Sequence, residues 1–470
     1  MPVRKPTLAQ AISCFVVLLL VTGIGKGIFQ LAVQPLLLIA ATYVAFLGKY
    51  LGYSYQEMED GVTENFTISL PVIYIMVAVG VVLGTWVYSG TVPYMIYIGL
   101  KLISPEMYLI VAFVITALVS LATGTAWGAV ATGGLALIGI ADSMGIPLGI
   151  AAGAIISGSI FGDKMSPLSD TTIMAPTICE VNIYDHIRYL FRTTVPSAII
   201  GLIVWFIVGQ NFEMDASNIV AVEDLSNQLS LIYHWSPLIL LPAAIIIVGA
   251  LLKQPPIPLM FLSSFVAVLI GMYFHGFSVP DAFTSCLSGF NVSMITAPEA
   301  RGAVGDEIVS GLLNRGGIAS MMDIVSTIIC GYAFAGVMAK IGCLNVVLES
   351  MAHKIDCRWK LIGFTMLAGI ILTFTAGVAS IVIIMVGTLL KDAYDDMGLD
   401  RLNLSRAIED TGTQLLGFVP WGASGIYYTN LLGVTVGQYA LWCIPCYLCC
   451  VFGMIWAITG IGIKYADKQA

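Results

Sequence analysis

The feature that most restricts this chain is the recurrence of uncharged apolar runs near 20 residues, the length a helix needs to cross a bilayer. "AISCFVVLLLVTGIG" near the start and "VPSAIIGLIVWFIVG" from Val195 are two of them. Only 10% of the residues are charged, against roughly 25% in soluble domains. The expected fold class is therefore an all-α polytopic membrane protein, with the lipid bilayer as its surroundings. No basic stripe exists, so no nucleic acid is expected as a partner. The basic start and apolar core of the N-terminus have the outline of a signal peptide, but no small-x-small cleavage site follows. Another apolar segment comes at once, so the stretch is read as a first transmembrane helix.

Lysines and arginines orient the segments, because they gather in cytoplasmic loops. Arg4 and Lys5 place the N-terminus in the cytoplasm, and Lys464 and Lys468 do the same for the C-terminus. Apolar segments at about 11–29, 32–50, 70–90, 107–141, 194–210, 236–252, 257–275, 318–340, 361–390 and 437–463 give about ten transmembrane helices. The block 107–141 is long enough to be divided at Thr123–Gly124–Thr125. Two segments are left over. Residues 145–176 must start and finish inside, and 404–433 must start and finish outside. Both mix Gly, Pro and polar residues into apolar sequence, so two re-entrant hairpins are expected there.

Several residue pairs recur at one spacing. Gly124 and Gly377, Gly145 and Gly398, Ala154 and Ala407, and Pro167 and Pro420 each stand 253 positions apart. Gly84–Gly336 and Gly90–Gly342 differ by 252. A duplicated unit follows, and the charge pattern gives its copies opposite directions, as in the inverted-topology repeats of secondary transporters. The organisation is then two N-terminal helices (1–52), a first repeat (53–192), linking helices with an external acidic loop at 211–230 (193–275), a second repeat (276–433), and a last helix with a cytoplasmic tail (434–470).

The stretch "GSIFGDKMSPLSDTT" (Gly158–Thr172) breaks the general avoidance of charge. An ionisable group at membrane depth costs several kcal/mol unless paired or neutralised, so it marks function by default. Pro167 and Gly162 free backbone groups, and Asp163, Ser166, Ser169, Asp170, Thr171 and Thr172 supply oxygens. Oxygens suit hard cations such as sodium, with Asp163 and Asp170 as the charged ligands. A carboxylate that holds a cation also holds a proton, and competition between the two gives exchange. The counterpart "IEDTGTQLLGFVPWGASG" (Ile408–Gly425) offers Asp410, Thr411 and Thr413, with Glu409 read as the cap of an external loop. Thr85, Thr123, Thr125 and Asp323 are further pathway candidates. The cysteines of "CIPCYLCC" (Cys443–Cys450) read as small hydrophobes rather than as a metal site, and the spacing of Gly145, Gly149 and Gly153 as helix packing.

These motifs, with "SGTVPYMIYIGL", "SLATGTAWGAVAT" and "NRGGIASMM", resemble the signatures of the NhaC-type sodium/proton antiporter family over about Ser69–Gly433. The resemblance implies a homodimeric carrier of the bacterial inner membrane, driven by ion gradients, with opposed hairpins and elevator-like motion. It implies no cofactor beyond sodium and protons as coupling ions, and no enzymatic activity. Members of the family also exchange malate for lactate or carry amino acids, so a small organic acid stays open as a co-substrate. No arginine lies within either central motif, so no clamp for a dicarboxylate is evident. Helix N-termini at the breaks could bind an anionic group in its place.

Other classes fare worse. "TGIGKGIF" lacks the first Gly and the Ser/Thr of a phosphate loop. Ser424 in "GASG" could serve an intramembrane serine protease only beside a general base, and the four histidines fall at expected segment ends or in loops.

Overall fold

The computed structural model describes residues 3–466 apart from 30, 168, 213–226, 253, 298–299, 301–306, 344 and 348–354. Most of the expected acidic loop at 211–230 thus lies outside the described residues. The described chain is helical, and its one β-type contact is an isolated bridge between Leu399 and Tyr465. The helices are α1 (Leu8–Gly27), α2 (Val33–Leu51), α3 (Tyr55–Tyr88), α4 (Thr91–Leu102) and α5 (Tyr108–Thr123). Next comes α6, which runs as Ala126–Ala129, a π-helical turn Val130–Gly134, and Leu135–Ser143. There follow α7 (Leu148–Met165), α8 (Asp170–Cys179), α9 (Ile183–Gly209), α10 (Leu241–Leu251), α11 (Pro256–His275) and α12 (Val279–Ser288). The chain ends with α13 (Ile318–Lys340), α14 (Arg358–Ala376), α15 (Ala379–Asp396), α16 (Leu402–Gly412), α17 (Ala423–Leu432) and α18 (Ile444–Thr459).

By length and apolarity, 5 helices among the described residues can cross a membrane: Leu8–Gly25, Val33–Leu51, Ile183–Gly209, Ile257–His275 and Ile318–Lys340. Two bent pairs, Ile73–Tyr88 with Thr91–Gly99 (69°) and Val436–Trp442 with Ile444–Thr459 (55°), raise this to 7. The architecture is that of a polytopic membrane protein. Much of the remaining length is taken by broken helices whose separate pieces are short.

Where the chain reverses differs from the expectation. Residues 148–179 do not double back. α7 begins beside Gln438 and Trp442, just before α18, because Gly149 and Gly153 leave no room between the backbones. After a break at 166–169, α8 ends at Glu180, which pairs with Lys391 and Arg401. The neighbouring Asp400 N–H bonds the Lys464 carbonyl, past the end of α18. The α7–α8 pair therefore runs the length of α18. The α16–α17 pair runs the same length the other way, with its own break at 413–422.

The reversals lie instead at Gly124 and Gly377. Gly158 on α7 abuts Phe113 and Thr116, and Gly162 abuts Ala117 and Leu121, so α5 and α7 are parallel. The chain must come back between them, through α6. The Tyr108 hydroxyl indeed donates to the Leu137 carbonyl, joining the two arms. On the other side Thr365 meets Tyr394, and α15 returns along α14. Both turns need a left-handed residue, and glycine supplies it at φ 69° and 67°. The hairpins are thus 108–143 and 358–396, in place of the 145–176 and 404–433 expected from composition. A turned-back segment and a through-running broken helix carry the same Gly, Pro and polar residues, so composition does not tell them apart.

The 253-residue spacing reappears in local structure. α8 and α17 are each 10 residues long, and Asp170–Cys179 maps onto Ala423–Leu432. Both end in a left-handed residue, Glu180 and Gly433. Asn182 and Thr435 then begin the next helical segments. One contact recurs with its residues exchanged: a methyl group on Gly158 would lie 2.2 Å from the Thr116 hydroxyl, and one on Gly369 would lie 2.2 Å from that of Thr411. Buried apolar side chains form two clusters, one round α3 and α5–α7, the other round α14–α16 with α1 and α2.

Candidate functional site: an ion pair between two helix breaks

Each break follows from its sequence. Pro167 cannot donate to a helical carbonyl, and Ser169 starts α8 as its N-cap, accepting from the Thr172 N–H. The Thr172 hydroxyl donates back to the carbonyls of Lys164 (3.2 Å) and Asp163 (3.4 Å), bridging the gap. Ser166 ties the break to the hairpin, its hydroxyl donating to the Leu121 carbonyl at 2.8 Å. In the second break Pro420 interrupts the helix likewise, Gly422 begins α17 without a side-chain cap, and Trp421 Nε1 donates to the Phe374 carbonyl at 2.9 Å. Leu121 and Phe374 are themselves 253 positions apart. Ser166, Ser169 and Thr172, expected as ion ligands, therefore spend a hydroxyl bond on holding the first break together.

The two breaks meet through one ion pair. Lys164 Nζ lies 2.6 Å from Asp410 Oδ1, with the side chains 1% and 0% exposed. Lys164 sits in the last turn of α7, where a cation suits the helix dipole. Glu409 and Asp410 sit at the corresponding end of α16, where carboxylates do not, so the lysine offsets the misplaced charge. Thr193 on α9 donates to the same Asp410 oxygen at 2.8 Å, and Cys450 Sγ to the Asp410 carbonyl at 2.9 Å. Arg406, one turn earlier and fully buried, places Nε 3.9 Å from Asp410 Oδ2 and its guanidinium over the Tyr189 ring at 4.8 Å.

Several of these buried polar atoms have no hydrogen-bond partner. They are Asp163 Oδ1, Glu409 Oε1, Asp410 Oδ2 and all three guanidinium nitrogens of Arg406. The other Glu409 oxygen accepts from Thr413 Oγ1 at 2.7 Å. Asp163 is half-buried and faces Ser169, Asp170 and Glu409. Burying a charge without a partner is costly, so these oxygens form a set in want of a proton or a cation. Among the described residues no three His, Cys, Asp or Glu side chains converge on a metal-sized point. A cation bound here would complete its shell with hydroxyl, carbonyl or water oxygens.

The remaining expected residues divide. Asp170 is exposed at the start of α8, where its carboxylate accepts from the Thr171 N–H. Thr171 faces Ser169. Thr411 turns its hydroxyl to the Ala407 carbonyl and against Gly369, a packing position. Thr85 is buried in α3 and bonds its own helix. Thr125 begins α6 at the hairpin turn, and the side chain of Thr123 lies outside the described residues. Asp323 on α13 accepts from Gln34 Nε2 at 2.6 Å.

Sequence reasoning missed Glu409, Arg406, Thr193 and the reach of Lys164. Glu409 is fully buried, not a cap in an outer loop. An arginine does reach the site, two residues before the motif. His186 is buried on α9 against Ser405 rather than placed in a loop. The available signal was the spacing of Arg406 and Asp410, one helical turn apart in a stretch otherwise short of charge. The Ser424 hydroxyl receives the Trp127 indole N–H at 3.1 Å, which is no base for a nucleophile.

The family model described as the Na+/H+ antiporter family matches residues 5–177 and 158–461. An uncharacterized Na+/H+ antiporter of Haemophilus influenzae is 38% identical over 99% of this chain and 98% of its own length. The Na+/H+ antiporter NhaC of Alkalihalophilus pseudofirmus is 32% identical over 94% of each chain. The malate-2H+/Na+-lactate antiporter of Bacillus subtilis is 32% identical over 99% and 98%. With the match spanning nearly the whole chain, the protein belongs to the Na+/H+ antiporter family.

Proposed function

We propose that this protein exchanges sodium for protons across the bacterial inner membrane by alternating access, with both termini in the cytoplasm. Basic residues support that orientation: Arg192, Arg358, Lys391, Arg401 and Lys464 all gather at one end, beside Glu180, Gly462 and Tyr465. In this orientation the hairpin 358–396 enters from the cytoplasm and 108–143 from outside, within two inverted repeats.

The observation that carries the reading is the buried Lys164–Asp410 pair flanked by carboxylate oxygens that lack partners. Asp410 cannot be stripped of its lysine at membrane depth without another positive charge taking its place. A sodium ion held by the Asp410 carboxylate, with hydroxyl, carbonyl or water oxygens completing its shell, is one such charge, and a proton on the same carboxylate is the other, with Asp163 and Glu409 as further proton-carrying groups. Each cargo excludes the other, so net movement of one drives the other. The hydroxyls of Thr193 and Thr413 already point at these carboxylates and orient them.

Reconstituted in proteoliposomes under an imposed sodium gradient, the protein is expected to move protons with no organic solute present. Asp163→Asn, Glu409→Gln and Asp410→Asn are each expected to abolish that flux while leaving monodisperse protein. Full activity in all three overturns the assignment. Coupling to an organic anion is the second reading, favoured by the Arg406 guanidinium at the site, whose nitrogens have no hydrogen-bond partner. Flux that appears only when malate, lactate or an amino acid is added selects it.

A further inference from the structure

A second polar feature lies outside the ion-pair site. A cavity of about 260 Å³ opens between α13 and α17. It is lined by Asp323 and Thr327 of α13, Gln34 at the start of α2, Thr429 and Asn430 of α17, and Pro420. Pro420 belongs to the second break, so the cavity ends at the wall of the site already described. Its far end is marked by Asn430, next to the last turn of α17, and by the beginning of α2.

Asp323 is an exposed carboxylate in an apolar helix. Its depth follows from the pairing of α3 with α13. Gly317 N–H bonds the Gly80 carbonyl, and Gly61 abuts Gly336, which sets Asp323 level with Tyr74, at the start of the apolar stretch Ile73–Tyr88 of α3. About 25 Å of helix separates it from Lys340 at the basic end. A carboxylate at that level tolerates water and polar neighbours but not lipid. The Gln34 amide fixes its orientation, and the surrounding hydroxyls and amide offer further oxygens. At about 30 Å³ per water, the space suits a small cation with much of its hydration shell.

We infer that this cavity is a staging site for a partly hydrated monovalent cation, with Asp323 as its counter-charge, on the side of the second break away from the basic end. The inference rests on the exchange reading, because it supplies the aqueous approach to that break. It differs in kind from the ion-pair site: here one carboxylate is exposed, and among the described residues no lysine or arginine pairs with it.

The test uses thiol modification, which needs no transport. Asn430→Cys is made in the full-length reconstituted protein, and its reaction with small cationic and anionic methanethiosulfonates is compared against the unsubstituted chain. The cationic reagent is expected to react at least about fivefold faster, since a lined cleft concentrates the opposite charge. Sodium chloride is expected to slow that reaction relative to an equal concentration of N-methylglucamine chloride. Asp323→Asn, in the same background, is expected to remove both effects. Equal rates for the two reagents, or a preference that survives Asp323→Asn, overturns the proposal. If Asn430→Cys does not yield folded protein, Thr429→Cys serves the same comparison. A charge preference in a chain that fails to exchange sodium for protons would count against the exchange reading alone.

Discussion

Lys164 and Asp410 stand 246 positions apart in the chain and touch at 2.6 Å. Removing one partner of a buried pair strands the other charge, at a cost of about 3–5 kcal/mol, whereas replacing both with apolar groups is nearly neutral. Lys164→Met is accordingly expected to lower the unfolding stability of the detergent-solubilised protein by that amount. Lys164→Met combined with Asp410→Leu should recover most of the loss, and neither variant should transport. Equal destabilisation in the single and double variants would show that the pair is not what holds the breaks together. Arg406 moderates the contrast, because it stays close enough to Asp410 to take part of the load in the single variant and loses that partner in the double one. The pairing itself was not legible beforehand, since nothing in either motif names its partner. Glu409 was misread for a related reason: a carboxylate one turn before a threonine looks the same whether water or protein surrounds it.

At the scale of elements, Gly369 and Thr411 offer a direct probe of how α14 lies on α16. A methyl group at Gly369 meets the Thr411 hydroxyl at 2.2 Å and its Cβ at 3.1 Å, with Val382 next at 3.9 Å. Gly369→Ala should cost about 1–3 kcal/mol through overpacking. Adding Thr411→Ala should relieve it, giving a coupling near 1 kcal/mol of opposite sign in a double-mutant cycle of thermal unfolding. Additive effects would mean the helices adjust without meeting. The positions of the breaks were readable, because Gly124, Pro167 and Pro420 punctuate apolar sequence. The path of the chain through them was not. Whether it turns back or continues depends on which helix lies alongside, as Gly158 and Gly162 against α5 decide for α7.

Across the whole molecule, charge outside the apolar segments ties α8 to α15 and α16 at the basic end. Glu180, after α8, accepts from Lys391 on α15 at 2.6 Å and from Arg401 before α16. Hydrogen bonds from Lys391 and Arg401 hold its carboxyl below the usual glutamate range. A depressed value stabilises the fold above the ordinary glutamate range and is lost as pH falls through the lowered one. Thermal stability should therefore fall on acidification in that window, and Glu180→Gln should flatten the fall. Glu180 is exposed and its two partners are only half-buried, so the effect should be small and weaken with salt.

The two tethers from Ser166 and Trp421 carry a consequence for the cycle. Each fastens a through-running helix to the hairpin beside it, just where both are interrupted, and the Lys164–Asp410 contact joins the two assemblies so formed. Under the exchange proposed above, an ion held between them would keep the same walls as it passes from one side to the other. Its affinity would then be alike facing either side, leaving the concentrations there to decide which ion binds.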